Sequence, residues 1–291
     1  AGRSYVVFGK VGTGEVSLSA VAGGSGGFVI NGQCAGDWSG WSASGAGDVN
    51  GDGLADLIVG ARYADTAPGN WAGRSYVVFG KTATGPVDLS AVAASSGGFV
   101  VNGQCSFDGS GSSVASAGDV NGDGLGDVIV GARHSDSPAG IDAGRSYIVF
   151  GKADEGVVEL SAVAAGSGGF VVNGQCQFEW SGQSVAAAGD VNGDGFADVI
   201  VGAHLGNPPG GHYAGRSYVV FGKSGSTALD LSAVAAGSGG FVINGHCAED
   251  KSGWTVAAAG DVNGDGHADL AVSNYRNRSR GDLDGGDGGC N

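Results

Sequence analysis

The 291-residue chain has no methionine, five prolines and only 14 lysines and arginines. With so few cations and no basic run, a nucleic-acid partner is excluded as the main ligand, because phosphates require clustered Lys and Arg. No apolar run reaches the roughly 20 residues needed to cross a bilayer as a helix. The 62 glycines keep no three-residue period, which excludes collagen. Catalytic arrangements are also missing. The five histidines (His134, His204, His212, His246 and His267) fall at different places in the sequence pattern, and no serine–histidine–acid order or paired carboxylate stands out, so an enzyme is not expected. The opening Ala1-Gly2-Arg3-Ser4-Tyr5 begins in mid-pattern, with the same words at Ala72, Ala143 and Ala214, and so reads as a processed or excised segment.

What the chain does have is a repeat. Asp48, Asn50, Asp52 and Asp56 surround Gly51 and Gly53, and the same loop returns three times at a constant spacing of 71 residues. Its other copies are Asp119, Asn121, Asp123 and Asp127; Asp190, Asn192, Asp194 and Asp198; and Asp261, Asn263, Asp265 and Asp269. Hard side-chain oxygens at alternate positions of a tight turn suit Ca²⁺ better than Zn²⁺. Leu54, Leu125, Phe196 and His267 would each contribute a backbone carbonyl, which explains why that position accepts such different side chains. An Asp/Asn/Gly-rich hairpin without metal is the alternative reading of one loop, and four intact copies favour calcium. The twelfth-position glutamate of an EF-hand is absent, so the loop is EF-like in a β setting. The formal charge of −15 follows from these loops, and four Ca²⁺ would bring it to −7. Folding is therefore expected to depend on calcium. Loops of modest charge need millimolar calcium, which points to an extracellular or surface location.

Apolar runs rich in Val, Ile, Tyr and Phe flank every loop, bounded by Gly, Asn and Asp. Each 71-residue unit reads as four short strands, with a Leu-Ser-Ala-Val stretch forming one helical turn. Four antiparallel strands per unit make the blade of a β-propeller. The chain opens with the third and fourth strands of a unit and ends with a first and a second. The expected fold is thus an all-β propeller of four four-stranded blades over residues 1–273, closed by joining N- and C-terminal strands, with a Gly/Asp-rich tail at 274–291. An open four-blade unit that pairs into a larger ring is the alternative.

These words resemble FG-GAP repeats, the blades of integrin α-chain propellers and of many bacterial surface proteins. The small-residue strand Ser113–Gly118, the loop from Asp119 and the strand Val128–Ala132 carry the likeness. The resemblance implies a calcium-binding propeller used in recognition or adhesion. The sequence departs from the family in three ways. Phe-Gly is replaced by Ser39-Gly40, Ser110-Gly111, Ser181-Gly182 and Ser252-Gly253. The proline after Gly-Ala is replaced by Arg62, Arg133 and His204. There are four units, whereas family propellers usually have seven blades.

Function is expected where the repeat is broken. The segments after Cys34, Cys105, Cys176 and Cys247 vary sharply, although each keeps an acid: Asp37, Asp108, Glu179 or Asp250. Trp38, Trp41, Phe107, Phe178, Trp180 and Trp254 lie there too, and strand alternation places these loops with residues 63–71, 134–142 and 205–213 on the face opposite the calcium loops. Aromatic and acidic groups together suit a glycan or cell-surface protein partner. A structural subunit that self-associates into a layer or filament is the alternative, and blade packing is the plain account of the tryptophans. The four in-register cysteines are expected to be small buried side chains; a thiolate ring or disulfides, one of them using Cys290, are the other options. In the tail, Arg280-Gly281-Asp282 reads as chance, and the glycosylation acceptor pattern from Asn277 has meaning only in a eukaryotic secretory protein.

Overall fold

The computed structural model describes residues 1–276. The chain enters through β1 (Arg3–Val7), a five-residue helix α1 (Leu18–Ala22) and β2 (Gly27–Asn31). The first complete blade is β3 (Ser42–Gly47), β4 (Asp56–Ala61), β5 (Arg74–Val78), a two-residue strand β6 (Val87–Asp88), α2 (Leu89–Ala93) and β7 (Gly98–Asn102). The second is β8 (Ser113–Gly118), β9 (Asp127–Ala132), β10 (Arg145–Val149), β11 (Val158–Glu159), α3 (Leu160–Ala164) and β12 (Gly169–Asn173). The third is β13 (Ser184–Gly189), β14 (Asp198–Ala203), β15 (Arg216–Val220), β16 (Leu229–Asp230), α4 (Leu231–Ala235) and β17 (Gly240–Asn244). β18 (Ser252–Gly260) and β19 (Asp269–Asn274) follow. The architecture is all-β, in four repeats of propeller-type blades.

Within a blade the four longer strands run antiparallel in chain order, as in β8–β9–β10–β12. Packing is between blades, and strand periodicity dictates it. In β9, Val128 and Val130 point into the core shared with the first blade, and Ile129 into the core shared with the third. In β14, Val199 and Val201 face the second blade and Ile200 faces β18–β19. Alternate residues therefore serve two different interfaces, and a central strand is apolar throughout because both its faces are covered. Blades come so close that Gly131 is required. A Cβ there would stand 2.3 Å from the carbonyl oxygen of Gly182 in the next repeat.

Polar contacts join the blades at the same register each time. Gln104 Oε1 accepts from Arg145 at 3.0 Å and from the Tyr147 hydroxyl at 2.8 Å; Gln33 and Gln175 do the same for Arg74–Tyr76 and Arg216–Tyr218. The two-residue strands, which alternation alone does not predict, pair in parallel with the outer strand of the preceding repeat. Asn102 Nδ2 donates to Glu159 there at 2.8 Å. The helical turns form as expected, with Leu89 and Val92, three apart and so on one side, fully buried.

Among the described residues no ladder joins the terminal strands. β1 stands in a sheet with β2 and β6, and β18 pairs with β19 alone. The terminal strands β1 and β19 are partly exposed, while β9 and β14 are buried throughout.

Candidate ligand-binding face and Asp-rich loops

Each Asp-rich loop connects the first and second strands of a blade. A bulge in the first strand, such as that between Ser116 and Gly118, turns the chain into it. The Asp119 carboxylate accepts the N–H groups of Gly122 at 2.7 Å, Asp123 at 3.1 Å and Gly124 at 2.9 Å. Asn121 and Asp123 each accept the N–H two residues on. The loops of Asp48, Asp190 and Asp261 repeat this pattern bond for bond. Asp127, at the ninth position, is buried. It accepts Val120 N–H at 2.8 Å and, from beyond the third strand, Gly151 N–H at 2.8 Å, so one carboxylate ties the loop to two strands. Asp56 and Asp198 are placed alike. Burial, reinforced by the nearby charges of Asp123 and Asp119, pushes the Asp127 carboxyl up to about 7. Burial raises Asp56 and Asp198 as well.

The donor set is of the kind a hard cation takes: it offers oxygen only, and the Asp119 and Asp123 carboxylates lie close enough to Asp127 to raise it. Among the described residues, however, no three His, Cys, Asp or Glu side chains stand together as a metal cage. The carboxylates are turned toward backbone N–H groups.

On the other face, the loops that break the repeat do meet. Trp38 lies 5.6 Å from Trp41 and 4.8 Å from Tyr63; Tyr63 is 5.3 Å from Trp71, and Trp71 is 5.8 Å from Phe107. A second run joins His134, Trp180, His204, Trp254 and Tyr275. Trp38, Trp41, Trp71, Phe107 and Phe178 are each half or more exposed. Several hold left-handed backbone. Trp38 (φ 54°) and Trp180 (φ 56°) occupy the register filled by Gly109 (φ 62°) and Lys251 (φ 55°), and Phe107 and Phe178 likewise have positive φ. A bulky residue there costs on the order of 1–2 kcal/mol.

Three of the four acids of these segments are covered by the fold. Asp108, Glu179 and Asp250 are buried. Glu179 and Asp250 accept the N–H of the cysteine three residues earlier, at 3.3 and 3.1 Å. Asp108 also accepts from the Ser135 hydroxyl at 3.0 Å, and Glu179 pairs with Arg216 at 3.2 Å. Burial pushes the Asp108 carboxyl up to about 6. Burial raises Asp37 too, although it is only partly covered. These acids hold their turns. The cysteines also differ from expectation: Cys34, Cys105 and Cys176, each two residues beyond the glycine that follows the fourth strand, are exposed free thiols, and Cys247 is disulfide-bonded. Asn277, Arg280–Asp282 and Cys290 lie outside the described residues.

The sequence did not single out Arg62, Tyr63, Trp71 and His134 individually. The Arg62 guanidinium carbon sits 4.7 Å from the Trp41 ring centre and 4.6 Å from that of Tyr63. Its replacement of the usual proline was the available signal. Two adjoining hollows open here, divided by Phe107 and His134. One, of about 400 Å³, is lined by acids that include Asp108, Asp136 and Asp142; the other, of about 250 Å³, is lined by Arg62, Tyr63, Trp71 and Gly109.

Blades of this topology with Asp-rich first loops define a class, and sequence comparison agrees. The FG-GAP repeat family matches residues 39–78, 110–149, 181–220 and 252–289, more than half of the chain. The chain belongs to the FG-GAP repeat family. It is 33% identical over 156 residues to phosphatidylinositol-glycan-specific phospholipase D of Bos taurus, covering 53% of this chain and 17% of the relative. It is 29% identical over 244 residues to integrin alpha pat-2 of Caenorhabditis elegans, covering 82% of this chain and 18% of the relative. Integrin alpha-4 of Xenopus laevis is 30% identical over 160 residues, which is 55% of this chain and 14% of that protein. The chain thus spans less than a fifth of the length of these relatives. No helix among the described residues is long and apolar enough to cross a membrane.

Proposed function

We propose that the chain is a non-enzymatic recognition or adhesion module working outside the cell, binding a glycan or protein ligand through its aromatic loop face. The observation that carries this reading is the run of half-exposed rings from Trp38 to Phe107, several held in strained backbone. Exposed aromatics maintained at a backbone cost are better explained by a ligand than by stability. The likeness to integrin α chains supports the same reading.

Calcium belongs to the scaffold in this proposal. Asp119, Asn121, Asp123, the Leu125 carbonyl and Asp127, with their counterparts in the other three loops, would hold Ca²⁺, and the ion would offset the burial and the Asp123 and Asp119 charges that raise Asp127. At a free concentration one hundred times its Kd, each ion stabilises the fold by about 2.7 kcal/mol. Chelation is therefore expected to lower the melting temperature by several degrees; an unchanged melting curve would remove calcium from the proposal. For the ligand, an immobilised glycan and extracellular-protein panel is probed with the calcium-loaded chain and with Trp38→Ala/Trp41→Ala. Signal lost in the variant supports the reading, and signal equal in both opposes it.

The second reading, a self-associating structural subunit, has one observation in its favour. β1 and β19 each leave one side without a ladder partner among the described residues. By analogy with the β4–β5 register, Ser273 would stand opposite Ser4. A Ser4→Cys/Ser273→Cys variant lacking the free thiols would cross-link between copies under this reading; light scattering that stays monomeric at all concentrations goes against it.

A further inference from the structure

One charge in the aromatic run has no counter-ion among the described residues. Arg62 is 6% exposed and is stacked against Trp41 and Tyr63. Its Nε is buried without a hydrogen-bond partner, and no ion pair among the described residues includes it. The equivalent residues elsewhere are accounted for. Arg133 Nε donates to His134 Nε2 at 3.1 Å and its Nη1 donates to Gln183, while burial pushes His204 down to about 4 and leaves it neutral. Arg62 also lines the 250 Å³ hollow, together with Tyr63, Trp71, Phe107 and His134. Burying a guanidinium without an anion is costly, and an anion entering the hollow would recover that cost through charge-assisted hydrogen bonds in a poorly hydrated site.

We propose that this hollow binds the carboxylate of an acidic sugar residue, with Arg62 as its counter-ion and the sugar ring stacked on Trp71 and Phe107. The proposal rests on reading this face as a recognition surface and narrows its ligand to an anionic glycan. A single planar guanidinium matches a singly charged planar carboxylate. A more densely charged group is opposed by Asp108, Asp136 and Asp142 in the adjoining hollow and by the net charge of −15. Trp71 and Phe107, 52% and 60% exposed, present apolar ring surface of the kind that the C–H face of a pyranose covers and an acidic peptide side chain does not.

The test is calorimetric titration of the calcium-loaded chain with a hexuronic-acid oligosaccharide and with the same oligosaccharide after its carboxyls are reduced to alcohols. The acidic form is expected to bind at least tenfold tighter at low salt, and the advantage should shrink as salt is added. Arg62→Gln should abolish the preference and keep the neutral affinity; Trp71→Ala should weaken both. Arg62→Lys, which keeps the charge and loses the planar fork, should retain part of the preference, and near-ultraviolet circular dichroism reports whether either variant is folded. Binding of both forms with a ratio near one would overturn the carboxylate and leave the recognition reading standing. Binding of neither would overturn both. A glutamate–glycine peptide binding more tightly than the oligosaccharide would overturn the sugar. A salt-independent ratio in the wild type would overturn the role of charge without recourse to any variant.

Discussion

The two faces of the array use the same backbone device for opposite ends. Both are built from loops that return every 71 residues with nearly the same hydrogen bonds and the same positive-φ positions. On the Asp-rich-loop face the side chains are as regular as the backbone: each Asp and Asn position repeats its residue type, and only the position of Leu54, Leu125, Phe196 and His267 varies. On the aromatic face the backbone register is kept while the side chains change, so that Trp38, Gly109, Trp180 and Lys251 share one conformation that only the glycine adopts freely. Regularity in both backbone and side chain marks the fastening; regular backbone under varied side chains marks a platform open to specialisation. Buried acids blur this division, because Asp127 and Asp108 do similar work on opposite faces, each gathering N–H or hydroxyl donors inside its own turn.

The sharpest break of the comparison is Asp127→Ala. It strands the buried Val120 and Gly151 N–H groups, and a loss of about 3 kcal/mol in urea denaturation is expected, since each buried donor left unsatisfied costs roughly 1–3 kcal/mol. Next comes the acid of the opposite face. Asp108 is raised from its ordinary value of 3.8 to about 6 in the fold, so the folded chain holds its proton more tightly than the unfolded chain. This contribution favours the fold at low pH and is lost as pH rises from about 4 to 6, on the order of 2 kcal/mol. In Asp108→Asn that slice of the pH–stability profile should vanish, and a profile unchanged from wild type would count against the burial argument. Smaller still is Gly109→Ala. A Cβ there meets nothing closer than 3.9 Å, so backbone strain alone is tested and about 1 kcal/mol should be lost. Smallest is Trp38→Ala, expected to change stability by no more than about 0.5 kcal/mol while removing ligand signal. A large loss of stability there would recast the ring as packing and dissolve the distinction between the faces.

Much of this was readable from the chain. The repeat, the four long strands of a blade, the helical turn at Leu89–Ala93 and the meeting of the variable loops follow from spacing and alternation. Other features left no such trace. A two-residue strand such as Val158–Glu159 has no period to detect, because its pairing is set by the neighbouring repeat. An acid in a variable loop reads as exposed, and nothing local reveals that Glu179 bends back to Cys176 and Arg216. Cys105 follows a buried strand by two glycine-led residues, enough to swing it into solvent. The left-handed aromatics had one sign in the sequence, the presence of Gly109 among their register partners, and the free charge of Arg62 depended on rings contributed from separate loops.

The parallel pairing of each two-residue strand with the repeat before it has a consequence for synthesis. Asn102 waits 57 residues for Glu159, and the Ser42 hydroxyl waits 72 for Val114 N–H. Each unit emerging from a ribosome therefore reaches full order only when its successor follows, and no contact of this kind has to wait much longer than one repeat. Folding should advance as a wave one unit behind translation, with a constant and modest entropy of closure at every step. A pulse-labelled series of chains truncated at successive units would show protection appearing in instalments, always one repeat short of the end.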